Sequence, residues 1–389
     1  MTLGLSPSSR RARLGALFAG VGLVAATVVA APAAAATNDP LREQQWGLDQ
    51  IKAEEAWTAS TGEGSVVAVV DSGVDLTHPD LQANLVGGAT FIDCDPSCGN
   101  GDWKGPDGVG NDLDEHGTHV SGIIAAVADN GEGIAGVAPD AKIMPIKALE
   151  EGSGAFEDIA NGITWAVDNG ADVVNLSLGA LPGVQALTIT GVEASVTEAI
   201  AYAHENGVLV VAAAGNESFP VCDTPAFEKH ALCVTSTTKE ETPSWFSNGA
   251  IEQDLYAVAA PGGEALLTCE NDIVSTVPLG TGSEFCGLAD YDYYAGTSMA
   301  APHVAGVGAL LFAQGRTLEN VQAALTETAR TPGLDMTGVW TTSYGHGIVD
   351  AAAATAYEGA GTTDTEPPTK GNKGKGGENG GGKGKKPKD

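Results

Sequence analysis

The chain has 389 residues, 43% of them hydrophobic and 18% charged, so it can hold one large or two ordinary domains with a buried core. Its formal net charge is −31, and residues 37–369 contain nine basic side chains against 48 acidic ones. Such an acidic protein is not expected to bind nucleic acid or anionic lipid, and it suits bound cations.

The first 36 residues are predicted to form a signal peptide. Arg10, Arg11 and Arg13 precede an apolar run at 14–31, and Ala34-Ala35-Ala36 offers a small-residue cleavage site. The alternative is an uncleaved anchor, because about 18 apolar residues are just enough to span a bilayer. We favour cleavage because the run ends in alanines. The mature protein is therefore expected to be secreted, extracellular and free of the membrane.

Strands and helices alternate along the rest of the chain. Continuous apolar runs predict buried strands, and amphipathic or small apolar stretches predict helices. The strands are expected at 65–70, 142–148, 172–178 and 208–214, with a strand-rich section at 230–285. The helices are expected at 53–57, 116–126, 156–169, 192–206, 299–312 and 318–328. This alternation predicts an α/β fold with a doubly wound, mainly parallel sheet flanked by helices in three αβα layers.

One globular domain is predicted at 37–357, followed by a tail at 358–389. The tail is rich in Gly and Lys and has no apolar periodicity, which is typical of a flexible, solvated linker. A tether to a cell wall or to a polyanion is the alternative.

The six cysteines of an exported chain indicate disulfide bonds rather than a metal site. Six cysteines allow 15 connectivities, and the sequence alone does not choose among them. Because the cysteines fall into three local pairs with short loops, we expect Cys94–Cys98, Cys222–Cys233 and Cys269–Cys286.

Four polar residues stand where strands end or helices begin: Asp71, His116, Asn216 and Ser298. Each has a structural alternative, namely a turn cap, a buried core histidine, a left-handed turn residue and a helix N-cap. Ser298 precedes an apolar helix whose first turn would tolerate Pro302. Together the four supply what acyl transfer requires: a nucleophile, a base, an orienting carboxylate and a donor to the oxyanion.

With the catalytic residues in the order Asp, His, Ser, the surrounding motifs resemble those of the subtilisin-like serine peptidases, in particular the thermitase-like ones. The resemblance covers about 38–356. It rests on Val69-Val70-Asp71-Ser72-Gly73, His116-Gly117-Thr118-His119-Val120-Ser121-Gly122, Ala213-Ala214-Gly215-Asn216 and Gly296-Thr297-Ser298-Met299-Ala300-Ala301-Pro302-His303. It implies Asp71 as the orienting carboxylate, His116 as general base and acid, Ser298 as nucleophile and Asn216 as oxyanion donor. His119 and His303 match structural positions.

The same resemblance implies how a peptide substrate is bound. Two segments, Gly152-Ser153-Gly154 and Ser177-Leu178-Gly179, match those that hold an extended peptide as an added strand. The primary specificity pocket would be lined by Ser177 to Gly179 and by Ala213 to Asn216. Glu217 at its rim would favour basic or at least non-acidic side chains.

A bound Ca²⁺ is also implied. Carboxylate, amide and main-chain oxygens are the ligands that this hard cation takes. The matching ligands are Asp39, Asp80, Asn130 and the main-chain oxygens of Val127, Glu132 and Ile134. The alternative is a solvated turn with incidental acids. A second site is expected in the acidic loop from Asp93 to Asp114.

The predicted function is therefore a secreted, calcium-stabilised serine endopeptidase that acts on proteins or peptides as a monomer. A narrowly selective processing protease is the alternative, and a catalytically silent binding scaffold is a further one. Because predicted cleavage after Ala36 leaves little chain before the matched region, we expect folding to be aided by calcium and disulfides rather than by a pro-segment.

Overall fold

The structure is a computed structural model that describes residues 37–92, 112, 114–179, 194–253, 255–266, 268–283, 285–334 and 336–359. The predicted signal peptide, most of the acidic loop and most of the tail lie outside these residues. The helices are α1 (Trp46–Ile51), α2 (Ala53–Ala56), α3 (His116–Ala125), α4 (Phe156–Asp168), α5 (Ala194–Glu205), α6 (Thr297–Ala313), α7 (Leu318–Glu327) and α8 (Ala351–Ala356). The strands are β1 (Val66–Asp71), β2 (Ala89–Thr90), β3 (Lys142–Lys147), β4 (Val173–Leu176), β5 (Leu209–Ala213), β6 (Ala231–Thr237), β7 (Tyr256–Pro261), β8 (Ile273–Thr276) and β9 (Tyr291–Tyr294).

Seven strands form one parallel sheet in the order β2-β3-β1-β4-β5-β6-β7. The order reverses direction around β1, as in a doubly wound sheet, so the carboxyl ends of β1, β4 and β5 meet at one edge. Strands β8 and β9 form a separate antiparallel pair. The predicted fold class is confirmed, and the two-residue edge strand β2 is an addition.

Both faces of the sheet are covered by helices. On β1, Val67 and Val69 join an apolar cluster that includes residues of α3 and α6, whereas Ala68 and Val70 join a second cluster with residues of α4 and α5. Successive residues of a strand point to opposite faces, so a strand buried on both sides needs an unbroken apolar run. This explains why β1 shows no alternation. Across the described part of the chain, no helix combines the length and apolarity that a bilayer span requires.

Helix α6 begins at Thr297, before the apolar run itself, so Pro302 is its sixth residue and lies inside the helix. The expectation that Pro302 occupies the first turn is therefore wrong. Since proline has no N–H, the carbonyl of Ser298, four residues earlier, receives no helical hydrogen bond. This carbonyl needs another donor.

Two of the three predicted disulfides are present. Cys222 is bonded to Cys233 and Cys269 to Cys286, with Cα–Cα distances of 6.6 and 6.2 Å. The third predicted pair, Cys94 and Cys98, lies outside the described residues.

Candidate active site

The site begins where β1 ends and α3 starts. Asp71 is the last residue of β1 and is fully buried, and His116 is the first residue of α3. The two elements touch directly at Gly117, where an added Cβ would lie only 2.0 Å from the carbonyl oxygen of Gly73. Only glycine therefore permits this close approach, which brings the imidazole of His116 to the end of β1.

The imidazole and the carboxylate form a hydrogen-bonded pair. His116 Nδ1 lies 2.8 Å from Asp71 Oδ1, and the same oxygen accepts the Ser72 N–H at 2.8 Å. Because Nδ1–H donates to the carboxylate, Nε2 of the neutral ring is left as the basic nitrogen. The His116 side chain is 28% exposed, so it can be reached from solvent.

A second buried carboxylate, that of Asp112, is hydrogen-bonded to the two segments that carry this pair. Asp112 Oδ1 accepts the Ser72 hydroxyl at 2.7 Å, and Oδ2 accepts the Thr118 N–H at 2.8 Å. The Ser72 hydroxyl oxygen also accepts the Gly117 N–H at 3.0 Å. Two of the free N–H groups at the start of α3 are thereby satisfied, which fixes the helix that carries His116. Sequence reasoning missed Asp112 because its bond to Ser72 joins residues that are 40 positions apart in the chain.

The surrounding charges set the protonation of His116. Burial lowers its pKa, but the nearby negative charges of Asp71, Asp112 and Asp114, with the hydrogen bond to Asp71, outweigh burial and raise the pKa above the ordinary 6.5. The protonated imidazole is thus stabilised in the fold. This stability is complete below pH 6.5 and is lost as the pH rises through the raised pKa.

Ser298 is the second residue of α6, and its carbonyl oxygen accepts the hydroxyl of Ser177 at 2.7 Å. This bond replaces the helical one that Pro302 cannot supply. Asn175 at the end of β4 donates its amide to the same hydroxyl at 2.9 Å. The sequence predicted Ser177 as a substrate contact and did not reveal that it also holds the backbone of Ser298.

Asn216 is held by the residue that opens α6. Its Oδ1 accepts the Thr297 N–H at 2.9 Å and the Thr297 hydroxyl at 3.1 Å, which leaves the amide NH₂ as a donor. A Cβ placed on Gly296 would lie 3.5 Å from the Ser298 nitrogen and 3.7 Å from Asn216 Nδ2. Two N–H donors therefore border one small space that the glycine leaves open. Such a pair of donors suits a developing oxyanion.

A cleft of about 650 Å³ connects these groups. Its lining includes Asp71, His116 and Ser298 together with both predicted substrate segments, Gly152-Ser153-Gly154 and Ser177-Leu178-Gly179. Apolar side chains complete it: Leu149, Phe156, Ile159 and Leu178. Asn216 and Glu217 are not among the lining residues. Both are exposed, and Glu217 Oε2 accepts the amide of Asn248 at 2.9 Å.

The two other histidines of the motifs lie in the core. His119 Nε2 is 3.0 Å from the Ile273 carbonyl, and its ring stacks on Tyr294 at 4.3 Å. His303 Nδ1 is 2.8 Å from the Met299 carbonyl. Burial lowers the pKa of His119 to about 3 and that of His303 to about 4, so both rings are neutral in the fold.

The predicted calcium ligands lie at the loop that follows α3. Asp80 accepts the Asn130 amide at 2.8 Å and the Ile134 N–H at 3.0 Å, and its backbone oxygen accepts the Val127 N–H at 2.9 Å. Asp39 Oδ2 accepts the Asp129 N–H at 3.0 Å. Glu132 donates its N–H to Asn130 Oδ1 at 2.7 Å.

One carboxylate oxygen at this loop makes the donor set fit a cation. Asp39 Oδ1 is buried and has no hydrogen-bond partner among the described residues, a costly state that a bound cation would relieve. With Asp80 and an amide oxygen, it gives the hard donors that Ca²⁺ prefers. Within the described residues, no group of three or more His, Cys, Asp or Glu side chains forms a metal site, so such an ion would rely on main-chain oxygens. Most of the loop proposed for a second ion lies outside those residues.

Comparison with known proteins identifies a family and several relatives that the chain resembles in sequence and in fold. The sequence profile described as the subtilase family matches residues 62–354. Thermitase of Thermoactinomyces vulgaris is 41% identical over 296 residues, covering 75% of this chain and 91% of thermitase. Subtilisin BL of Lederbergia lenta is 37% identical, covering 80% of this chain and 98% of the relative. A solved protease structure from Pseudoalteromonas arctica has a TM-score of 0.66 at 33% identity, covering 82% and 98%.

Proposed function

The chain belongs to the subtilase family and is a serine-type endopeptidase, and from this premise we propose that Asp71, His116 and Ser298 form its catalytic triad. The observation that carries the proposal is the 2.8 Å bond between His116 and Asp71 in a cleft that Ser298 also lines. The protein is proposed to be secreted and to cleave protein or peptide substrates as a monomer.

The proposed reaction passes through an acyl-enzyme. The Ser298 hydroxyl attacks the substrate carbonyl carbon while His116 Nε2 takes its proton, and the resulting imidazolium is stabilised by Asp71. The Asn216 amide and the Ser298 N–H donate to the oxyanion of the tetrahedral intermediate. His116 then gives the proton to the leaving amine, and water, activated by the same nitrogen, hydrolyses the acyl-enzyme.

The substrate is proposed to bind as an extended strand between residues 152–154 and 177–179. Backbone hydrogen bonds would supply affinity and side-chain pockets would supply specificity. The apolar lining of the cleft suits an apolar side chain away from the scissile bond. Glu217 is proposed to stand at the rim of the primary pocket.

Ca²⁺ is proposed to be held by Asp39, Asp80 and Asn130 with main-chain oxygens of Val127, Glu132 and Ile134. When bound, it supplies positive charge that offsets buried carboxylates, and it takes no part in the chemical step. Loading this site would tie the loop after α3 to the N-terminal segment that carries Asp39 and so stabilise the fold.

The activity is tested with a panel of fluorogenic peptides. The wild-type protein should cleave several of them, and Ser298→Ala should lose this activity by several orders of magnitude. Cleavage of a single peptide only would favour a narrowly selective processing protease. A folded wild-type protein that cleaves none of them would contradict the proposal and favour a binding scaffold.

The calcium site is tested by thermal unfolding with and without EDTA. Chelation should lower the melting temperature of the wild-type protein and of Asp129→Asn, a neighbouring carboxylate outside the ligand set. Asp39→Asn should unfold at a lower temperature from the start and respond little to EDTA. Equal sensitivity of the three proteins to the chelator would refute the assignment.

A further inference from the structure

A buried carboxylate lies between the two segments proposed to wall the primary specificity pocket. Asp223 is only 1% exposed. A Cβ placed on Gly179, in the first wall, would lie 3.8 Å from Asp223 Oδ2, and one placed on Gly215, in the second wall, would lie 2.3 Å from the same oxygen. Asp223 therefore borders both walls at once, at points where neither wall carries a side chain.

The position of Asp223 is fixed by its backbone and its neighbour. Its N–H donates to the Ala214 carbonyl at 2.8 Å, directly after β5. The preceding residue, Cys222, is bonded to Cys233, which pairs with Ala212 of β5 through the sheet. The backbone of Asp223 is thus held at the carboxyl end of β5, on the segment that leads to the proposed oxyanion donor Asn216. A group held in this way can select substrates by position as well as by charge.

A second carboxylate lies near the outer end of the same wall. Asn248 donates its amide to Glu217 at 2.9 Å and to the Ala214 carbonyl at 3.1 Å. The same amide nitrogen is 2.3 Å from the Cβ position of Gly215, the point that also lies against Asp223. One asparagine therefore lies between an exposed carboxylate and a buried one. Both carboxylates therefore lie at the Gly215 segment, Glu217 exposed and Asp223 buried.

We propose that Asp223 makes the primary pocket selective for substrates with Lys or Arg on the amino side of the scissile bond. The inference rests on the proposed peptidase function of the same cleft. The two glycines leave flat walls for the methylene groups of a long basic side chain, and its charged head ends at the carboxylate. An apolar side chain would gain no charge-assisted hydrogen bond there, and an acidic one would be repelled.

The test compares peptides that differ only in the residue before the scissile bond: Lys, Arg, Leu, Phe or Glu. The wild-type kcat/KM for Lys and Arg should exceed that for Leu and Phe by about 10- to 100-fold, the range expected for a hydrogen-bonded charge pair. Asp223→Asn should abolish this preference by lowering the Lys and Arg values at least tenfold relative to the Leu and Phe values.

The matched control is Asp140→Asn. Asp140 is exposed and lies two residues before the start of β3, at the opposite edge of the sheet from the cleft. The Asp140→Asn substitution removes the same charge as Asp223→Asn, and the peptide preference of this variant should stay that of the wild type. If Asp140→Asn changes the preference as much as Asp223→Asn does, the effect belongs to net charge and the pocket assignment is wrong.

The wild-type profile decides the matter even if Asp223→Asn does not fold. A wild-type enzyme that cleaves Leu or Phe peptides in a Ser298-dependent way without preferring Lys or Arg overturns the role of Asp223 and leaves the peptidase proposal standing. Absence of any Ser298-dependent cleavage overturns both. Benzamidine, a small planar cation, gives a second measurement. It should inhibit the wild-type enzyme competitively, and failure to inhibit it would count against the pocket.

Discussion

Thr297→Val should slow catalysis without weakening substrate binding. Thr297 is fully buried, and its hydroxyl donates to Asn216 Oδ1 and accepts the Gly215 N–H, both at 3.1 Å. Valine keeps the shape but removes both bonds, so Asn216 is held only by the Thr297 N–H. Loss of one such bond is worth about 1 kcal/mol, which corresponds to a loss of roughly fivefold in kcat.

An upper limit on this effect comes from removing the donor itself. Asn216→Ala should lower kcat by about 10²- to 10³-fold, a figure established within the same family. Valine also leaves the buried Gly215 N–H without a partner, so the free energy of unfolding should fall by about 1–3 kcal/mol.

Steady-state kinetics on one good peptide, with urea unfolding of each variant, tests the reasoning. Thr297→Ser retains the hydroxyl and should recover most of kcat. A Thr297→Val enzyme with wild-type kcat, beside an impaired Asn216→Ala enzyme, would show that Thr297 does not position the donor. A change confined to KM would refute the proposed role equally.

Three further predictions concern pH and the disulfide near the cleft. Because neighbouring carboxylates raise the pKa of His116, the loss of kcat/KM at acidic pH should have its midpoint above pH 6.5. Asp112→Asn removes one of these charges and should move that midpoint to lower pH. Identical pH profiles of the two enzymes would contradict this. Because His119 and His303 stay neutral in the fold, the free energy of unfolding should fall by about 2 kcal/mol for each of them between pH 7 and pH 5, and constant stability in urea titrations would be the contrary result. Cys222→Ser should lower the free energy of unfolding by about 3 kcal/mol, since the bond closes a loop of 11 residues; an unchanged urea midpoint would show that the bond adds no stability.

The fold could be predicted where burial requires a run or a periodic pattern of apolar residues. Strand β1 is an unbroken apolar run because helices cover both of its faces, and that pattern identifies a central parallel strand. Strand β2 has only two residues and β9 is half-buried and rich in tyrosine, so neither shows a periodic pattern. Helix α6 begins two residues before the apolar run that predicts it, for a related reason. Gly296 and Thr297 are small and polar, and nothing local shows that a buried threonine opens the helix.

The site could be predicted only as far as its motifs extend. Asp71, His116 and Ser298 are predicted as a set because the motifs around them resemble those of the subtilisin-like peptidases. The roles of Asp112 and Thr297 are not predictable, because they depend on hydrogen bonds to Ser72 and to Gly215 and Asn216, which only the fold brings near. Contacts of this kind depend on the completed fold and leave no pattern in the sequence.

The bond between the Ser177 hydroxyl and the Ser298 carbonyl has a consequence for how this enzyme can evolve or be redesigned. Ser177 belongs to the wall proposed to receive the substrate, and its hydroxyl also holds the backbone of the proposed nucleophile in place of the helical bond that Pro302 removes. A substitution at this position therefore alters peptide preference and turnover together. Leu178 also lines the cleft, and its apolar side chain packs against the core cluster on one face of the sheet, so changes there are expected to act through packing rather than through the backbone of Ser298.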